Sequence, residues 1–197
     1  MGADGVELDI HVSADGVPIV HHDSTIDGMA IQRVPLPEIR ERHRLGNGEP
    51  VPTLAEALAT IDAGLQVFVE VKALAASDDR RVLAVLRGSA HPDRCQVHSF
   101  DHRIVQRLRA AEPALITGVL SASYPVHPVA QLRDADASSL WQQASLIDAD
   151  LVAAVRAAAT RLVAWTVDDP ERMRALQGLG VDAICTNCPD VARQTLR

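Results

Sequence analysis

Short apolar runs alternate with stretches of helical period along most of this chain. Residues 6–12, 65–71, 94–100, 115–120, 162–167 and 181–185 have the β-branched and aliphatic density of buried strands, and 137–147 contains another. Between them, 78–87, 101–111 and 148–160 repeat their apolar positions every three to four residues, as amphipathic helices do, and 190–196 closes the sequence as a helix. Punctuation supports the division. Thr53 with Glu56 three residues on is a capping box, Pro113 stops the helix before it, and Asp169-Pro170 opens another with proline at the first helical position. Residues 24–49 are polar and broken by Pro35, Pro37, Gly46 and Gly48, with room for one short helix over 37–43. Residues 124–134 read as loop and short helix.

Strand, helix, strand with short connections predicts a parallel α/β architecture. The pattern gives seven parallel strands and a hairpin arm over 17–21, because Asp15-Gly16 between two β-rich runs is a hairpin signal. Eight strands close a (β/α) barrel of the TIM type, and such barrels rarely fall below about 200 residues. At 197 residues the chain is one domain, 1–197, expected to be such a barrel one strand–helix unit short, with a hairpin and loop insertion over about 13–50.

Composition narrows the partners. Aromatics are 3% of residues, so aliphatic side chains must fill the interior. The net charge is −7 with no basic run, which argues against nucleic acid; an acidic protein that handles an anionic substrate wants a cation between them. Cys95, Cys185 and Cys188 are too few for a disulfide framework, and the Cys185–Cys188 spacing lacks a second pair to complete a zinc site. No run approaches the ~18 apolar residues of a membrane span, and the acidic start lacks signal-peptide features, so a cytoplasmic protein is expected.

In parallel α/β folds, ligands bind at the carboxyl ends of the strands, so polar residues there are informative. Glu7 and Asp9 share one strand face, as do Glu70 and Lys72, the only lysine in the chain. Three carboxylates together suit a hard cation such as Ca²⁺ or Mg²⁺. The hairpin would carry His22 back towards them. Plainer readings stay open: a solvated face for Glu7 and Asp9, an ion pair for Glu70 with Lys72 or an arginine, and a His22 bonded to Asp23. His11 and His21 are expected to face elsewhere, and His43, His91, His102 and His127 to be solvated. A strand could aim His98 inward.

Seven segments occur in order: Gly2 to Asp9, Val20 to Asp23, Pro52 to Ala57, Val69 to Lys72, Ser99 to Asp101, Trp165 to Asp169 and Gly180 to Thr186. Together they resemble the glycerophosphodiester phosphodiesterase family, most specifically in the Glu-x-Asp pair with a histidine thirteen residues after the aspartate. The resemblance implies a TIM barrel with a hairpin insertion, and hydrolysis of a small-molecule glycerophosphodiester to glycerol 3-phosphate and an alcohol with one divalent cation. It implies that Glu7, Asp9 and Glu70 ligate the cation, His22 is one of two acid/base histidines, Lys72 lies near the phosphate and Trp165 lines the pocket.

The family's His-Arg-Gly strand and Glu-Asn-Thr helix start have no counterpart before Gly2, and Asn187 stands where the family often has aspartate. That strand carries the second histidine, so the chain as written is expected to be weak or inactive, with roughly 20–30 further residues upstream. The alternatives are a truncated relative, or completion by another chain; unpaired barrel edges would favour self-association. Two other functions compete: an inactive module that binds cation and phosphodiester, and a sphingomyelinase D-like lyase.

Overall fold

The computed structural model describes residues 2–196. Strand β1 (Gly5–Val12) turns at Ala14-Asp15-Gly16 and returns antiparallel as β2 (Pro18–Val20), pairing Ile10 with Val20 and Val12 with Pro18. The turn needs a positive φ, and Gly16 supplies it at +80°. Chain order then gives a two-residue hairpin, β3 (Thr25–Ile26) and β4 (Met29–Ala30), followed by helices α1 (Leu36–Arg42) and α2 (Leu54–Thr60). From there strand and helix alternate. The units are β5 (Gln66–Val71) with α3 (Asp79–Arg87), β6 (Cys95–Ser99) with α4 (His102–Ala111), and β7 (Ile116–Ser121) with α5 (Ala130–Asp134). They continue as β8 (Ser139–Gln143) with α6 (Ala149–Ala157), β9 (Arg161–Trp165) with α7 (Pro170–Leu179), and β10 (Ala183–Ile184) with α8 (Pro189–Thr195).

One eight-stranded sheet runs β10-β9-β8-β7-β6-β5-β1-β2, parallel throughout except for β2. It curls with helices on its outer face, a TIM-barrel-like fold with the seven parallel strands and the antiparallel arm expected from the sequence. Among the described residues no strand lies between β10 and β1. Arg193 of α8 donates to the Gly2 carbonyl, just ahead of β1, at 3.0 Å.

Two apolar layers fill the space between sheet and helices. Ile10, Val69, Val97, Ile104 and Leu108 belong to the first, and Val105, Leu140, Leu151, Leu162 and Met173 to the second. Each fully buried Leu or Ile contributes on the order of 2 kcal/mol. The barrel interior is packed separately by Leu120, Trp141 and Val163, with Phe68 and Trp165 against them.

Two predicted elements differ in detail. The last strand is two residues rather than five; at its start the Asp182 carboxylate, not a backbone carbonyl, takes the Leu162 N–H at 2.7 Å, and beyond it Cys185 N still donates to the Ala164 carbonyl at 2.8 Å. Residues 24–49, read as irregular apart from one helix, contain the β3–β4 hairpin. Asp27 and Gly28 both have positive φ there, as a tight primed turn requires. The insertion has its own apolar cluster, with Ile19, Ile26, Ile31, Leu36, Ile39 and Val51 buried. Asp15 fastens it to the hairpin by accepting from Ser13 Oγ at 2.6 Å and Leu36 N at 3.0 Å.

The end of α2 is closed by a residue distant in sequence. Arg94 is buried, and its guanidinium donates to the carbonyls of Leu58 and Ile61 at 3.1 Å, of Leu65 at 3.3 Å, and of Asp62. A cation on otherwise orphaned carbonyls at a helix C-terminus satisfies both hydrogen bonding and the helix dipole. Arg94→Met is therefore expected to cost about 3 kcal/mol in urea unfolding, from several charge-assisted bonds lost at one buried site.

Candidate active site at the strand ends

The sheet register builds the site. Across β1, β5, β6 and β7, Asp9 lies opposite Glu70, Glu70 opposite His98, and His98 opposite Gly118. Alternation within a strand then adds Glu7 and Lys72 to the same face, two residues from Asp9 and Glu70. One face of three adjacent strands thus delivers three carboxylates, an ammonium and an imidazole to the barrel interior.

Lys72 Nζ lies 2.9 Å from Asp9 Oδ1 and 2.7 Å from Glu70 Oε1. The Glu70 contact is an ion pair outside hydrogen-bonding geometry, since that oxygen and Glu7 Oε1 are both buried without a hydrogen-bond partner. Burial pushes the Glu70 carboxyl above its ordinary range, and Lys72 only partly opposes this. Burial would lower the Lys72 ammonium, but the carboxylates of Glu70 and Asp9 outweigh it and hold it above its ordinary value. Burial, followed by the acidic field of Glu7, Asp168, Asp9 and Glu70, pushes the nearby Cys185 thiol up to about 12. It carries its proton at neutral pH and offers no thiolate.

His98, left open in the sequence, points inward. It is 2% exposed, and its Nε2 lies 3.6 Å from Glu7 Oε1. Its ring stacks on Trp141 with centroids 4.2 Å apart and planes at 11°. Gly118 makes room for that stack, since a Cβ there would fall 2.9 Å from Trp141 Cδ1 and 2.5 Å from Ser139 Oγ. Trp165 Nε1 donates to the Trp141 carbonyl at 2.9 Å, and its ring meets the exposed Phe100 edge-on at 5.4 Å.

His22 lies apart from this cluster's contacts. It is exposed, and its Nδ1 hydrogen-bonds Asp23 Oδ1 at 2.8 Å. The hairpin does return to the site in its backbone, where His21 N donates to the Asp9 carbonyl at 3.0 Å. His11 Nε2 contacts the His22 carbonyl at 3.2 Å. Two histidines expected in solvent have partners instead: His102 Nε2 reaches the Leu120 carbonyl at 2.8 Å, and His43 Nδ1 meets Asp27 at 2.7 Å. The cysteines are free.

Residues missed by sequence reasoning include Asp168, after β9. It accepts from Asn187 N at 2.8 Å, Asn187 Nδ2 at 2.9 Å and Thr186 Oγ1 at 2.9 Å, tying the β9 and β10 loops at the barrel mouth. The side chain and backbone of Asn187 hold its carboxyl below the usual 3.8. The two acidic positions after Trp165 were the available signal.

A TIM-barrel-like sheet with carboxylates, a lysine and an imidazole gathered on its inner face has the build of a barrel hydrolase for anionic substrates. The chain belongs to the glycerophosphoryl diester phosphodiesterase family, whose sequence model matches residues 1–191. A glycerophosphodiester phosphodiesterase of Caldanaerobacter subterraneus subsp. tengcongensis is 28% identical, the match spanning 100% of this chain and 87% of that protein. A probable glycerophosphodiester phosphodiesterase 2 of Mycobacterium tuberculosis is 30% identical over 97% of this chain and 78% of its own. The crystal structure of a glycerophosphodiester phosphodiesterase from Parabacteroides distasonis superposes with a TM-score of 0.90 at 25% identity, over 98% of this chain and 84% of that one. The fold is also that of an Oleispira antarctica phosphodiesterase solved with its product sn-glycerol-3-phosphate, with a TM-score of 0.89 at 23% identity, over 99% and 85%. The family is one of phosphoric diester hydrolases and is metal-dependent. The binding-module and lyase readings are not favoured. Among the described residues, Glu7, Glu70 and His98 form a group that could hold a metal ion, with ligand atoms within 4.8 Å of one another.

Two measurements probe the site's electrostatics. Lys72→Met leaves Glu70 buried beside Asp9 with no positive partner, and is expected to lower stability by about 3 kcal/mol in chelator, read by thermal unfolding. Asp168 is held ionised in the folded chain, so its stabilisation is full above the ordinary carboxylate value of 3.8 and is lost as pH falls through its lower folded pKa. Asp168→Asn should flatten the fall in thermal midpoint between about pH 4 and pH 2.

Proposed function

We propose that this chain hydrolyses a small glycerophosphodiester to glycerol 3-phosphate and an alcohol, using one divalent cation held by Glu7, Asp9 and Glu70. The observation that carries the reading is the convergence of those acids and Lys72 on the inner face of adjacent strands. The residues fit a cation: Glu7 Oε1 is buried without a hydrogen-bond partner, a costly arrangement that a positive ion relieves, and Glu70, with Lys72 Nζ on its Oε1 at 2.7 Å, stands beside it on the same face. The three carboxylates taken alone are a donor set for Ca²⁺ or Mg²⁺.

When bound, the cation polarises a phosphoryl oxygen and offsets the charge that grows as the phosphorus is attacked. Lys72 adds a compact positive charge beside the acids, where it can hold a phosphate oxygen. His22 Nδ1 hydrogen-bonds the Asp23 carboxylate, which fixes the ring; the imidazolium, carrying a proton on each nitrogen, passes its Nε2 proton to the departing alkoxide and is left as the neutral imidazole with Nδ1–H still on Asp23. Asp23, exposed beside it, is held below its ordinary value first by that bond, so it remains a carboxylate behind the imidazole at neutral pH. Trp165 and Phe100 wall the mouth with apolar surface and shield the alcohol side from water.

The test is release of glycerol 3-phosphate from a glycerophosphodiester, abolished by chelator and restored by divalent ion. His22→Gln should lower kcat by on the order of 10²–10⁴ while the thermal midpoint stays unchanged, because the side chain is 73% exposed. An unaltered kcat removes His22 from the reaction.

A further inference from the structure

We propose that His98 is a metal ligand in this chain. It joins Glu7 and Glu70, so that the site takes a borderline ion such as Co²⁺ or Zn²⁺ in preference to Ca²⁺. The inference deepens the proposed function and rests on it for the presence of a cation.

An imidazole buried to 2% exposure should find partners for both nitrogens. Here Nδ1 has none, and Nε2 faces only Glu7 Oε1 at 3.6 Å, too far for a hydrogen bond. The facing Glu7 oxygen is equally orphaned. A ring nitrogen and a buried carboxylate oxygen that face each other across a gap of this size, without a hydrogen bond between them, fit a cation between them better than a bond to each other. First-row ions sit about 2.0–2.2 Å from nitrogen and oxygen donors, so ligands in one shell stand roughly 3–4 Å apart. Glu70 completes the set within 4.8 Å.

The ring is held for this task. Trp141 stacks flat on it at 4.2 Å, the Trp141 backbone is engaged by Trp165 Nε1, and Gly118 leaves the space the stack needs. Such packing holds the plane of the ring before an ion arrives. A nitrogen donor among carboxylates matters for selectivity. Ca²⁺ takes oxygen ligands almost exclusively, whereas imidazole strengthens binding of later first-row ions such as Co²⁺ and Zn²⁺.

The experiment uses the full chain, purified without a histidine tag and stripped with chelator. Pulsed paramagnetic resonance of added Mn²⁺ reads directly whether an imidazole ¹⁴N is coupled to the ion. Calorimetry with Co²⁺ and with Ca²⁺ reads the preference. The expected result is imidazole nitrogen coupling in the parent chain and tighter binding of Co²⁺ than Ca²⁺. In His98→Gln the coupling should disappear and the Co²⁺:Ca²⁺ preference shrink by about tenfold or more. Circular dichroism checks that the variant folds; if it does not, the parent spectrum alone decides. Bound Mn²⁺ without imidazole coupling overturns the inference, as does an unaltered preference in folded His98→Gln. If Ca²⁺ then still supports release of glycerol 3-phosphate, the proposed function stands without His98. If no divalent ion binds at all, both fall.

Discussion

Negative charge packed on one row of a parallel sheet is the constraint from which the rest of this site follows. The β1–β5 register sets Asp9 directly beside Glu70, and alternation puts Glu7 on the same face. Two carboxylates that share a half-buried space repel, and removing either from water costs further free energy. Such a row is stable only with positive charge in it. Lys72 supplies that charge within 3 Å of both acids. It does not reach the Glu7 oxygen, which stays buried and unpaired. The protein carries an imbalance at the one place where its fold directs ligands.

The choice of lysine bears on how that imbalance can be used. All other basic side chains except the histidines are arginines, several of them forked onto carboxylates, as Arg107 grips Asp79 at 2.9 and 3.0 Å. An arginine in place of Lys72 would hold Glu70 in a planar two-point grip and satisfy its oxygens. A single ammonium on a flexible stem divides itself between Asp9 and Glu70 and leaves acceptor capacity on each. Those oxygens stay available to a second cation, and the ammonium can swing to an anion without dismantling the row.

Much of this was legible locally. Capping of α2 followed from Thr53 and Glu56, and both bonds of that box form. Caps at Asp101 and Asp169 hold their helices through side-chain bonds to the first turn. The hairpin at Asp15-Gly16 and the sharing of a face by Glu7 with Asp9, and by Glu70 with Lys72, needed only turn chemistry and the two-residue period of a strand. What escaped depends on register between segments distant in sequence. Nothing near His98 says that it will sit beside Glu70 across a parallel ladder, or that Gly118 will vacate the space in which Trp141 covers it. His102 and His43 read as solvated in the sequence because their partners, the Leu120 carbonyl and Asp27, are 18 and 16 residues away. Arg94 closes α2 from more than 30 residues downstream.

The hairpin shows how a local signal can be right about the turn and still leave the site unfinished. β2 pairs with only the last three residues of β1, Ile10 to Val12, and His21 N then bonds the Asp9 carbonyl. That backbone bond anchors the arm at the same residue whose side chain faces Lys72. His22, one residue further, alternates away from the sheet bond and ends in solvent on Asp23. The imidazole is therefore set on a short polar tether at the edge of the site, while the acids and Lys72 sit in the sheet. This division suits a reaction in which charge must be held still and a proton must travel. The carboxylates are fixed by a ladder of backbone bonds, and His22, the proton carrier proposed above, lies outside that packing.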